Sequence, residues 1–178
     1  MRVIAGSMKG RRLKTPTWDG VRPTSDKLRE TLFNILAPRL AGARVLDGYA
    51  GTGAVGIEAL SRGAAHVTFV ERDRRAQSLI AENLSHCRVA DGYAIIRASV
   101  VRALAGLGAE SFDIMFLDPP YDEPIDDVLA AAGEHLTPDG VLVLEHARCR
   151  TPPERPDRLH RTRDVTSGDS ALAFYSKT

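Results

Sequence analysis

The sequence predicts an α/β fold in which parallel strands alternate with helices. From residue 44 onward, short apolar runs alternate with segments of helical spacing, and strands separated by helices of this length pair in parallel through right-handed crossovers. The glycine-rich stretch Gly51-Thr52-Gly53 follows the first apolar run, at the edge of the sheet where such folds bind ligands. With 178 residues, 43% of them hydrophobic and 26% charged, the chain is long enough for one domain with its own core.

The N-terminal part of the chain, residues 1–23, is a basic extension that precedes this alternation. Residues 2–6 and 11–14 have strand-like patterns with a glycine-bounded turn between them, so we expect a small basic β-hairpin. The whole chain, residues 1–178, is interpreted as a single domain, in which residues 24–178 form the Rossmann-like α/β core.

Each later element has its own signal in the sequence. The first helix has Thr24 or Ser25 as its N-terminal cap, and Pro38 is expected to end it. The elements that follow are predicted at residues 45–46 (strand), 57–60 (helix), 66–70 (strand), 74–84 (helix), 93–96 (strand), 100–107 (helix), 112–117 (strand), 125–136 (helix), 141–145 (strand), 159–165 (strand) and 171–175 (strand). A turn at Gly168-Asp169 separates the last two strands.

Basic residues are concentrated at the two ends of the chain. Residues 1–30 contain eight lysines and arginines against three acidic residues, and residues 146–163 contain six arginines against two acidic residues. Because the net charge is only +1, the middle of the chain is acidic. This pattern favours an anionic polymer held by the ends and a small cationic or zwitterionic ligand bound in the middle. A set of solvated arginines is the alternative.

The sequence has no stretch long and apolar enough to span a membrane, and its basic N-terminus lacks the apolar centre of a signal peptide. We therefore expect a cytoplasmic protein.

Cys87 and Cys149 are far apart in the sequence, and together with His86 and His146 they match no usual zinc spacing. We expect two reduced thiols and no metal.

The motif Asp118-Pro119-Pro120-Tyr121 directly follows the strand predicted at residues 112–117. It therefore lies at the carboxyl end of a strand, where open α/β sheets bind their ligands. Asp118 offers a carboxylate acceptor, the two prolines stiffen the backbone, and Tyr121 offers a flat face for stacking. These features suit chemistry on a planar amine. A strand followed by a proline-rich turn without catalytic function is the alternative.

A second ligand site is predicted at residues 47–53, where the first strand ends and a helix begins. Glycines there let a ligand approach the backbone, and Glu71, at the end of the second strand, can accept hydrogen bonds from both hydroxyls of a ribose. Residues 51–56 also fit the dinucleotide pattern GxGxxG, with Glu71 at about the expected distance. An NAD-dependent dehydrogenase is therefore a rival interpretation of this region.

Two features favour S-adenosylmethionine over a dinucleotide. The carboxylate of Asp47 would repel a pyrophosphate but suits the α-amino group of a methionine, although Asp47 capping the following turn is an alternative. The Asp118-Pro119-Pro120-Tyr121 motif has no use in hydride transfer. We therefore predict a methyltransferase with S-adenosylmethionine as its donor.

Several stretches of the sequence match one known family. They are Arg2-Val3-Ile4-Ala5-Gly6 with Gly10-Arg11-Arg12-Leu13, Arg22-Pro23-Thr24-Ser25-Asp26, Leu32-Phe33-Asn34-Ile35-Leu36, Gly56-Ile57-Glu58-Ala59-Leu60-Ser61-Arg62-Gly63-Ala64, Asp118-Pro119-Pro120-Tyr121 and Gly168-Asp169-Ser170-Ala171-Leu172. Through them the chain resembles, over nearly its whole length, the bacterial RsmD-type 16S ribosomal RNA guanine-N2 methyltransferases. The N-terminal stretches are specific to this family, whereas many methyltransferases share the glycine loop and the Asp-Pro-Pro-Tyr motif.

The resemblance implies a Rossmann-like sheet of seven strands with helices on both faces and an antiparallel last strand. It also implies a class I methyltransferase that transfers a methyl group from S-adenosylmethionine to N2 of one guanine in 16S ribosomal RNA of the small subunit. The family further implies that the enzyme is a monomer. Expected catalytic residues are Asp118, Pro119, Pro120 and Tyr121. Expected cofactor-binding residues are Asp47, Tyr49, Ala50, Gly51, Gly53, Glu71, Arg72, Ser99 and Asp118. Expected RNA-binding residues are Arg2, Lys9, Arg11, Arg12, Arg22 and Thr24.

Two positions depart from the family pattern. Gly48 stands where the family usually has a large apolar residue, which should loosen the turn but leave Asp47 and the glycines in place. Ser99 stands where the family often has an aspartate suited to the adenine amino group. A serine bonds such a group less strongly than a carboxylate, so we expect weaker adenine recognition, or recognition by backbone groups.

The resulting hypothesis is an in-line methyl transfer from a sulfonium to guanine N2. Asp118 and the Pro119 carbonyl would accept the two N2 hydrogens, which favours the developing cationic nitrogen, and Tyr121 would stack on the flipped base. Two rivals stay open. One is an amino-methyltransferase of the same fold acting on adenine N6 or on a protein glutamine, and the other is a catalytically silent RNA-binding assembly factor.

Overall fold

The computed structural model of the chain describes residues 1–21 and 23–178. Within these residues it contains five helices and one seven-stranded sheet. In chain order the elements are α1 (Asp26–Leu40), β1 (Arg44–Gly48), α2 (Ala54–Ser61), β2 (His66–Val70), α3 (Arg74–His86), β3 (Tyr93–Ile96), α4 (Val100–Ala105), β4 (Phe112–Leu117), α5 (Ile125–His135), β5 (Leu136–Ala147), β6 (Leu159–Ser167) and β7 (Ser170–Lys177).

The strands are ordered β3-β2-β1-β4-β5-β7-β6 across the sheet. The first five strands in this order pair in parallel, whereas β7 is antiparallel to both of its neighbours. The predicted α/β fold with seven strands and an antiparallel last strand is therefore confirmed. The strand order reverses between β1 and β4, and in such sheets a crevice forms at the carboxyl ends of the strands on either side of that reversal.

The sheet separates two hydrophobic cores. Alternate residues of a strand point to opposite faces, so Phe116 packs into one core and Leu117 into the other. The first core also contains buried residues of α1, α2 and α3, and the second contains buried residues of α4 and α5. Helices therefore cover both faces of the sheet, as the resemblance implied.

The predicted end of the first helix at Pro38 is wrong. Helix α1 continues to Leu40, with Pro38 inside it. A proline removes one helical hydrogen bond and crowds the carbonyl four residues earlier, which disfavours continuation. Burial of Leu40 in the first core offsets that cost. Strand β5 also differs from its prediction, because it begins at Leu136, directly after α5, and not at residue 141.

The N-terminal segment, residues 1–14, contains one antiparallel bridge between Arg2 and Arg12 instead of two strands. The hairpin is reduced to this single pair because neighbouring backbone groups bond to a helix. The N–H groups of Ile4 and Ala5 donate to the carboxylate of Glu58 in α2, at 2.8 and 2.9 Å. That carboxylate is fully buried and also accepts from Arg62 at 2.8 Å.

Asn83 of α3 fixes the other end of this segment. Its side chain accepts from the N–H of Lys14 at 2.7 Å and donates to the Lys14 carbonyl at 3.1 Å. The same amide donates to the carbonyl of Thr52, in the loop after β1, at 2.9 Å. Val3 and Leu13 are buried in the first core. The N-terminal segment is therefore packed into the fold, and not merely appended to it as predicted.

Candidate active site at the carboxyl edge of the sheet

A cavity of about 1180 Å³ opens at the carboxyl ends of β1, β2, β4 and β5. It brings together most of the residues that the sequence predicts for catalysis and cofactor binding. These are Asp47, Tyr49, Ala50, Gly51, Glu71, Arg72, Ser99, Asp118, Pro119, Pro120 and Tyr121, and Thr24 joins them. Gly53 and four of the predicted RNA-binding residues, Arg2, Lys9, Arg11 and Arg12, do not line it. Arg22 lies outside the described residues.

The loop between β1 and α2 depends on glycine geometry. Gly51 and Gly53 have φ angles of +56° and +78°, in the left-handed region that favours glycine. The N–H of Gly53 donates to the Ala50 carbonyl at 2.7 Å, and Gly53 caps the first turn of α2. Gly53 therefore shapes the turn that precedes the helix, which explains why it does not reach the cavity itself.

Asp47 stabilises this loop from within the protein. Its side chain is only 1% exposed, and its Oδ2 accepts from the N–H of Gly56 in α2 at 2.8 Å. Burial raises the pKa of Asp47 to about 8, with the hydrogen bond from Gly56 opposing the shift and the nearby Glu71 adding to it. The predicted contact between Asp47 and an amino group stays a prediction, and the structure adds a bracing role for this carboxylate.

Gly48 is the last residue of β1, and the space beside it is already filled. A Cβ at this position would lie 2.6 Å from Cδ2 of Leu117 and 3.3 Å from Cγ2 of Val100. These two side chains occupy the volume that a larger residue would take. The packing therefore offers no support for the looser turn expected from Gly48.

Glu71 follows β2 and uses both carboxylate oxygens to hold backbone groups. Its Oε2 accepts from the N–H of Gly51 at 2.9 Å, and its Oε1 accepts from the N–H of Asp73 at 2.9 Å. A carboxylate has about four acceptor sites, so these two bonds do not exhaust its capacity for ribose hydroxyls. Glu71 is therefore both a candidate ribose ligand and a brace for the glycine loop.

Ser99 has a structural role that the sequence did not predict. Its hydroxyl caps α4 by accepting from the N–H of Arg102 at 3.4 Å, a long hydrogen bond. Its side chain is exposed at the cavity, as is that of Arg72. The predicted adenine contact of Ser99 stays a prediction, and any such contact shares the hydroxyl with the helix cap.

A hydrogen bond joins the two sides of the cavity. Oη of Tyr49 donates to Oε1 of Glu123 at 2.5 Å, linking the glycine loop to the segment that follows Tyr121. Tyr49 has a φ angle of +64°, which is unusual for a residue other than glycine. Burial raises the pKa of Tyr49, and the bond to Glu123 raises it further, so the phenol stays protonated and continues to donate at neutral pH.

The Asp118-Pro119-Pro120-Tyr121 motif lines the cavity directly after β4. Asp118 is half-buried, whereas the side chain of Tyr121 is 67% exposed. Nη1 of Arg150 donates to the Tyr121 carbonyl at 3.1 Å and holds the backbone at that point. The tyrosine ring is therefore presented to solvent beside a half-buried carboxylate, an arrangement that can receive a flat ligand from outside.

Glu145 is a cavity residue to which the sequence analysis assigned no role. It is 8% exposed and accepts a hydrogen bond from the Thr24 hydroxyl at 2.9 Å. The parallel register pairs Leu117 with Leu144, so Asp118 and Glu145 follow side by side on neighbouring strands. The signal was available, because Glu145 ends a predicted strand of the same sheet. The turn between β6 and β7, at residues 167–170, also lines this part of the cavity.

Arg2 and Arg12 are exposed and lie directly opposite each other in the antiparallel bridge of the N-terminal segment. The N–H of Val3 donates to the Arg11 carbonyl and the N–H of Leu13 to the Met1 carbonyl, both at 3.0 Å. These flanking bonds make Arg2 and Arg12 a non-hydrogen-bonded pair, the type in which side chains approach most closely. Like charges directly opposite each other are destabilising unless an anion lies between them.

The remaining predicted RNA-binding residues differ from one another. Lys9 is exposed. Arg11 is half-buried, and its guanidinium donates a hydrogen bond to the carbonyl of Cys87 at the end of α3. One of its donors is therefore already used within the protein and is not free to bind a phosphate. The hydroxyl of Thr24 is bonded to Glu145 inside the cavity.

The four residues considered as zinc ligands gain no support. Among residues 1–21 and 23–178, no three His, Cys, Asp or Glu side chains are close enough to hold a metal ion. Cys87 is buried, Cys149 is exposed, and both are free thiols.

Of the helices that the structure describes, none is long and apolar enough to cross a membrane.

Comparison with known proteins gives a consistent result. The family described as Conserved hypothetical protein 95 matches residues 1–176. Ribosomal RNA small subunit methyltransferase D of Escherichia coli strain K12 is 41% identical, over 99% of this chain and 90% of its own length. The solved structure of yhhF from Escherichia coli has a TM-score of 0.87 at 30% identity and covers 99% of this chain and 97% of its own. The solved structure of a hypothetical protein of Thermus thermophilus has a TM-score of 0.81 at 29% identity and covers 100% of this chain and 99% of its own.

Proposed function

Because the chain belongs to the family described as Conserved hypothetical protein 95, we propose that it is an S-adenosylmethionine-dependent methyltransferase of 16S ribosomal RNA, acting on N2 of one guanine in the small subunit. The resemblance to RsmD-type enzymes is confirmed by the 41% identity to the Escherichia coli enzyme. The observation that carries the proposal is the placement of Asp118 between the glycine loop and Glu145 in one cavity. The single domain, the monomeric state and the cytoplasmic location are parts of the same proposal.

The residues of the cavity fit S-adenosylmethionine. Gly51 has a positive φ, which favours glycine, and it lines the cavity, so the backbone there is open to a ligand without a Cβ in the way. Glu71 would accept from the ribose hydroxyls, Asp47 would face the α-amino group, and Ser99 and Arg72 would border the adenine. When bound, the cofactor supplies a methyl group on a positively charged sulfur.

The chain's own residues would prepare the acceptor. Asp118 would accept a hydrogen bond from one N2–H and the Pro119 carbonyl from the other, which takes the nitrogen lone pair out of conjugation with the ring and stabilises the developing positive charge. As the methyl–sulfur bond breaks and the methyl–nitrogen bond forms, Asp118 would take the proton that the methylated nitrogen releases. Tyr121 would stack on the extruded base and hold it in line for transfer. The bond from Arg150 to the Tyr121 carbonyl supports this role, because it fixes the backbone that carries the ring.

Glu145 supports guanine as the base. Guanine presents N1–H and N2–H groups as adjacent donors, and Asp118 and Glu145 supply carboxylates from neighbouring strands. Adenine would instead direct its N1 lone pair toward one of these carboxylates, which is unfavourable. The Thr24 hydroxyl donates to Glu145 and so orients this carboxylate. This arrangement favours a guanine amine over an adenine amine.

The basic residues support RNA as the polymer. A phosphate between Arg2 and Arg12 would relieve the repulsion within this pair, with Lys9 and Arg22 as further contacts. Arg148 and Arg150 follow β5 on the side of the cavity where Tyr121 is exposed. Phosphate contacts from both ends of the chain would position the RNA, and the cavity would select the base.

The proposal is tested by methylation of undermodified small subunits, free 16S RNA and DNA in parallel, followed by nucleoside analysis. We expect N2-methylguanosine from a small-subunit substrate and no product from DNA. Methylated adenine, or transfer to protein alone, would contradict the proposal. Absence of transfer to every substrate, together with retained RNA binding, would favour an RNA-binding assembly factor without catalysis.

A further inference from the structure

The loop that joins the N-terminal segment to α1 also lines the cavity. Trp18, Asp19, Gly20 and Val21 contribute to its wall, and none of them was assigned a role from the sequence. Val21 lies against the glycine loop, with its Cγ1 3.4 Å from the position that a Cβ would take on Gly51. This loop, defined here as residues 18–21, therefore packs on the part of the chain that is predicted to bind the cofactor.

The indole of Trp18 contains a buried donor that the described residues do not satisfy. Its Nε1 is inaccessible to solvent and has no hydrogen-bond partner within residues 1–21 and 23–178. Buried N–H groups are nearly always hydrogen-bonded, so an exception at the wall of a cavity requires an explanation. A ligand acceptor can bond to this donor only if the indole, or the atoms that cover Nε1, shift when the ligand binds.

A chain of contacts connects Trp18 to the predicted ribose site. The guanidinium of Arg75 lies over the indole, with its Cζ 5.0 Å from the ring centroid. Asp73 holds that guanidinium in turn, with 2.9 Å between Nη2 and Oδ2. The N–H of Asp73 donates to Oε1 of Glu71 at 2.9 Å. The indole is therefore fixed on the side of the cavity that carries Glu71.

We infer that Trp18 is a cofactor-binding residue, whose indole shifts on binding so that it contacts the adenosine portion of S-adenosylmethionine and donates a hydrogen bond to it. This inference rests on the proposed function. It gives the adenosine a contact that does not depend on Ser99, whose hydroxyl already caps α4. It also makes the N-terminal loop part of the cofactor site, adjacent in sequence to the segment that carries Arg2 and Arg12.

The chain offers a direct readout, because Trp18 is its only tryptophan. We propose to titrate the full-length protein with S-adenosylhomocysteine in the absence of RNA and to follow indole emission. Calorimetry on the same samples gives an independent Kd. We expect a saturable change in emission whose midpoint agrees with the calorimetric Kd.

Two substitutions separate the face of the indole from its N–H. Trp18→Phe keeps an aromatic face and is expected to raise the Kd for S-adenosylhomocysteine about threefold to tenfold, for the lost hydrogen bond. Trp18→Ala is expected to raise it by about tenfold or more, in line with stacking of a base on an aromatic side chain. Tyr121→Ala is the matched control, since it removes an aromatic residue of the same cavity on the acceptor side and should leave this Kd within about twofold. Thermal unfolding of each variant checks that it is folded.

The outcomes separate this inference from the proposed function. Calorimetric binding without any change in emission, together with an unchanged Kd in folded Trp18→Phe, would overturn the inference and leave the proposed function intact. An emission change on adding RNA but not S-adenosylhomocysteine would assign Trp18 to the RNA instead. Absence of calorimetric binding to the wild-type chain would overturn the proposed function itself.

Discussion

The phenolic oxygen of Tyr49 lies 2.5 Å from Oε1 of Glu123, so one hydrogen bond spans the loop after β1 and the segment after β4. These two loops carry the predicted donor and acceptor halves of the site. Neither residue needs to contact the reacting atoms for this bond to matter, because methyl transfer depends on the relative position of the two halves. Loss of this bond should therefore lower the rate of methyl transfer by more than any change in cofactor affinity would explain.

Tyr49→Phe should lower kcat about tenfold, while the Kd for S-adenosylhomocysteine changes by less than about threefold, because the lost bond aligns the two loops. Rates with saturating RNA and calorimetry measure the two quantities. Tyr93→Phe, in β3 and outside the cavity lining, is the matched control. Glu123→Gln completes a double-mutant cycle, and strictly additive effects of the two substitutions would contradict this coupling.

Asp118→Ala should reduce methyl transfer by about 10²–10³-fold, because the developing cationic nitrogen loses its carboxylate acceptor. Asp118→Asn keeps one acceptor oxygen and should retain more activity than Asp118→Ala. Both variants should bind S-adenosylhomocysteine nearly as well as the wild type. Asp127→Ala, an exposed carboxylate in α5, is the control. Full activity of Asp118→Ala would remove the proposed mechanism.

Glu145→Gln should lower kcat/KM for RNA by about 5–100-fold, the range expected from loss of one good contact to a base edge. The Kd for S-adenosylhomocysteine should not change, because Glu145 lies on the acceptor side of the cavity. Glu134→Gln, an exposed residue of α5, controls for the loss of a negative charge. An unchanged kcat/KM would show that guanine is recognised without Glu145.

Asp47 predicts a pH dependence of stability. Its pKa is raised from 3.8 to about 8 by burial, so the folded protein keeps a proton that the unfolded chain releases between these values. The contribution of Asp47 to the free energy of unfolding therefore falls as the pH rises from about 4 to about 8. Asp47→Asn removes this term and can still accept the hydrogen bond from Gly56. Its stability relative to the wild type should increase over that range.

Denaturant unfolding of the ligand-free proteins at pH 5, 6, 7 and 8 measures this difference. Asp139→Asn, at an exposed position in β5, supplies the comparison for an ordinary surface carboxylate. If the stability difference between Asp47→Asn and the wild type did not vary with pH, then Asp47 would not titrate in this range.

The pair of Arg2 and Arg12 predicts a salt effect on RNA binding. The double substitution Arg2→Gln and Arg12→Gln should weaken RNA binding and lower the salt slope of log K by roughly 1.5, for two lost phosphate contacts. Binding of S-adenosylhomocysteine should be unaffected. Arg102→Gln, in α4 on the opposite face of the sheet from the N-terminal segment, is the control. An unchanged salt slope would show that the RNA phosphates do not contact Arg2 and Arg12.

The sequence predicted the sheet well, because its signals are local. Apolar runs and helical spacing identified every strand from β1 to β7, and the motif after β4 located the carboxyl edge of the sheet. Pro38 was misleading, because burial of Leu40 is a tertiary effect that propensity does not contain. The predicted two-strand hairpin likewise did not form in full, because backbone N–H groups of the N-terminal segment donate hydrogen bonds to Glu58, a residue distant in sequence.

The parts of the site that were not predicted depend on contacts between residues distant in sequence. Glu145 acquires a role only because its strand lies beside β4 and because Thr24, at the start of α1, reaches it. Trp18 belongs to the cavity because its loop folds back over the glycine loop. Such contacts follow from topology and packing, and no local pattern in one sequence encodes them.

The contacts that hold the N-terminal segment also constrain the order in which the chain can fold. Its partners Glu58, Ser61 and Asn83 lie between 53 and 69 residues further along the sequence. During synthesis this segment leaves the ribosome before its partners and lacks them until α3 has been made. The segment is thus ordered late, and closing these long loops has an entropic cost that only the completed α2 and α3 can offset.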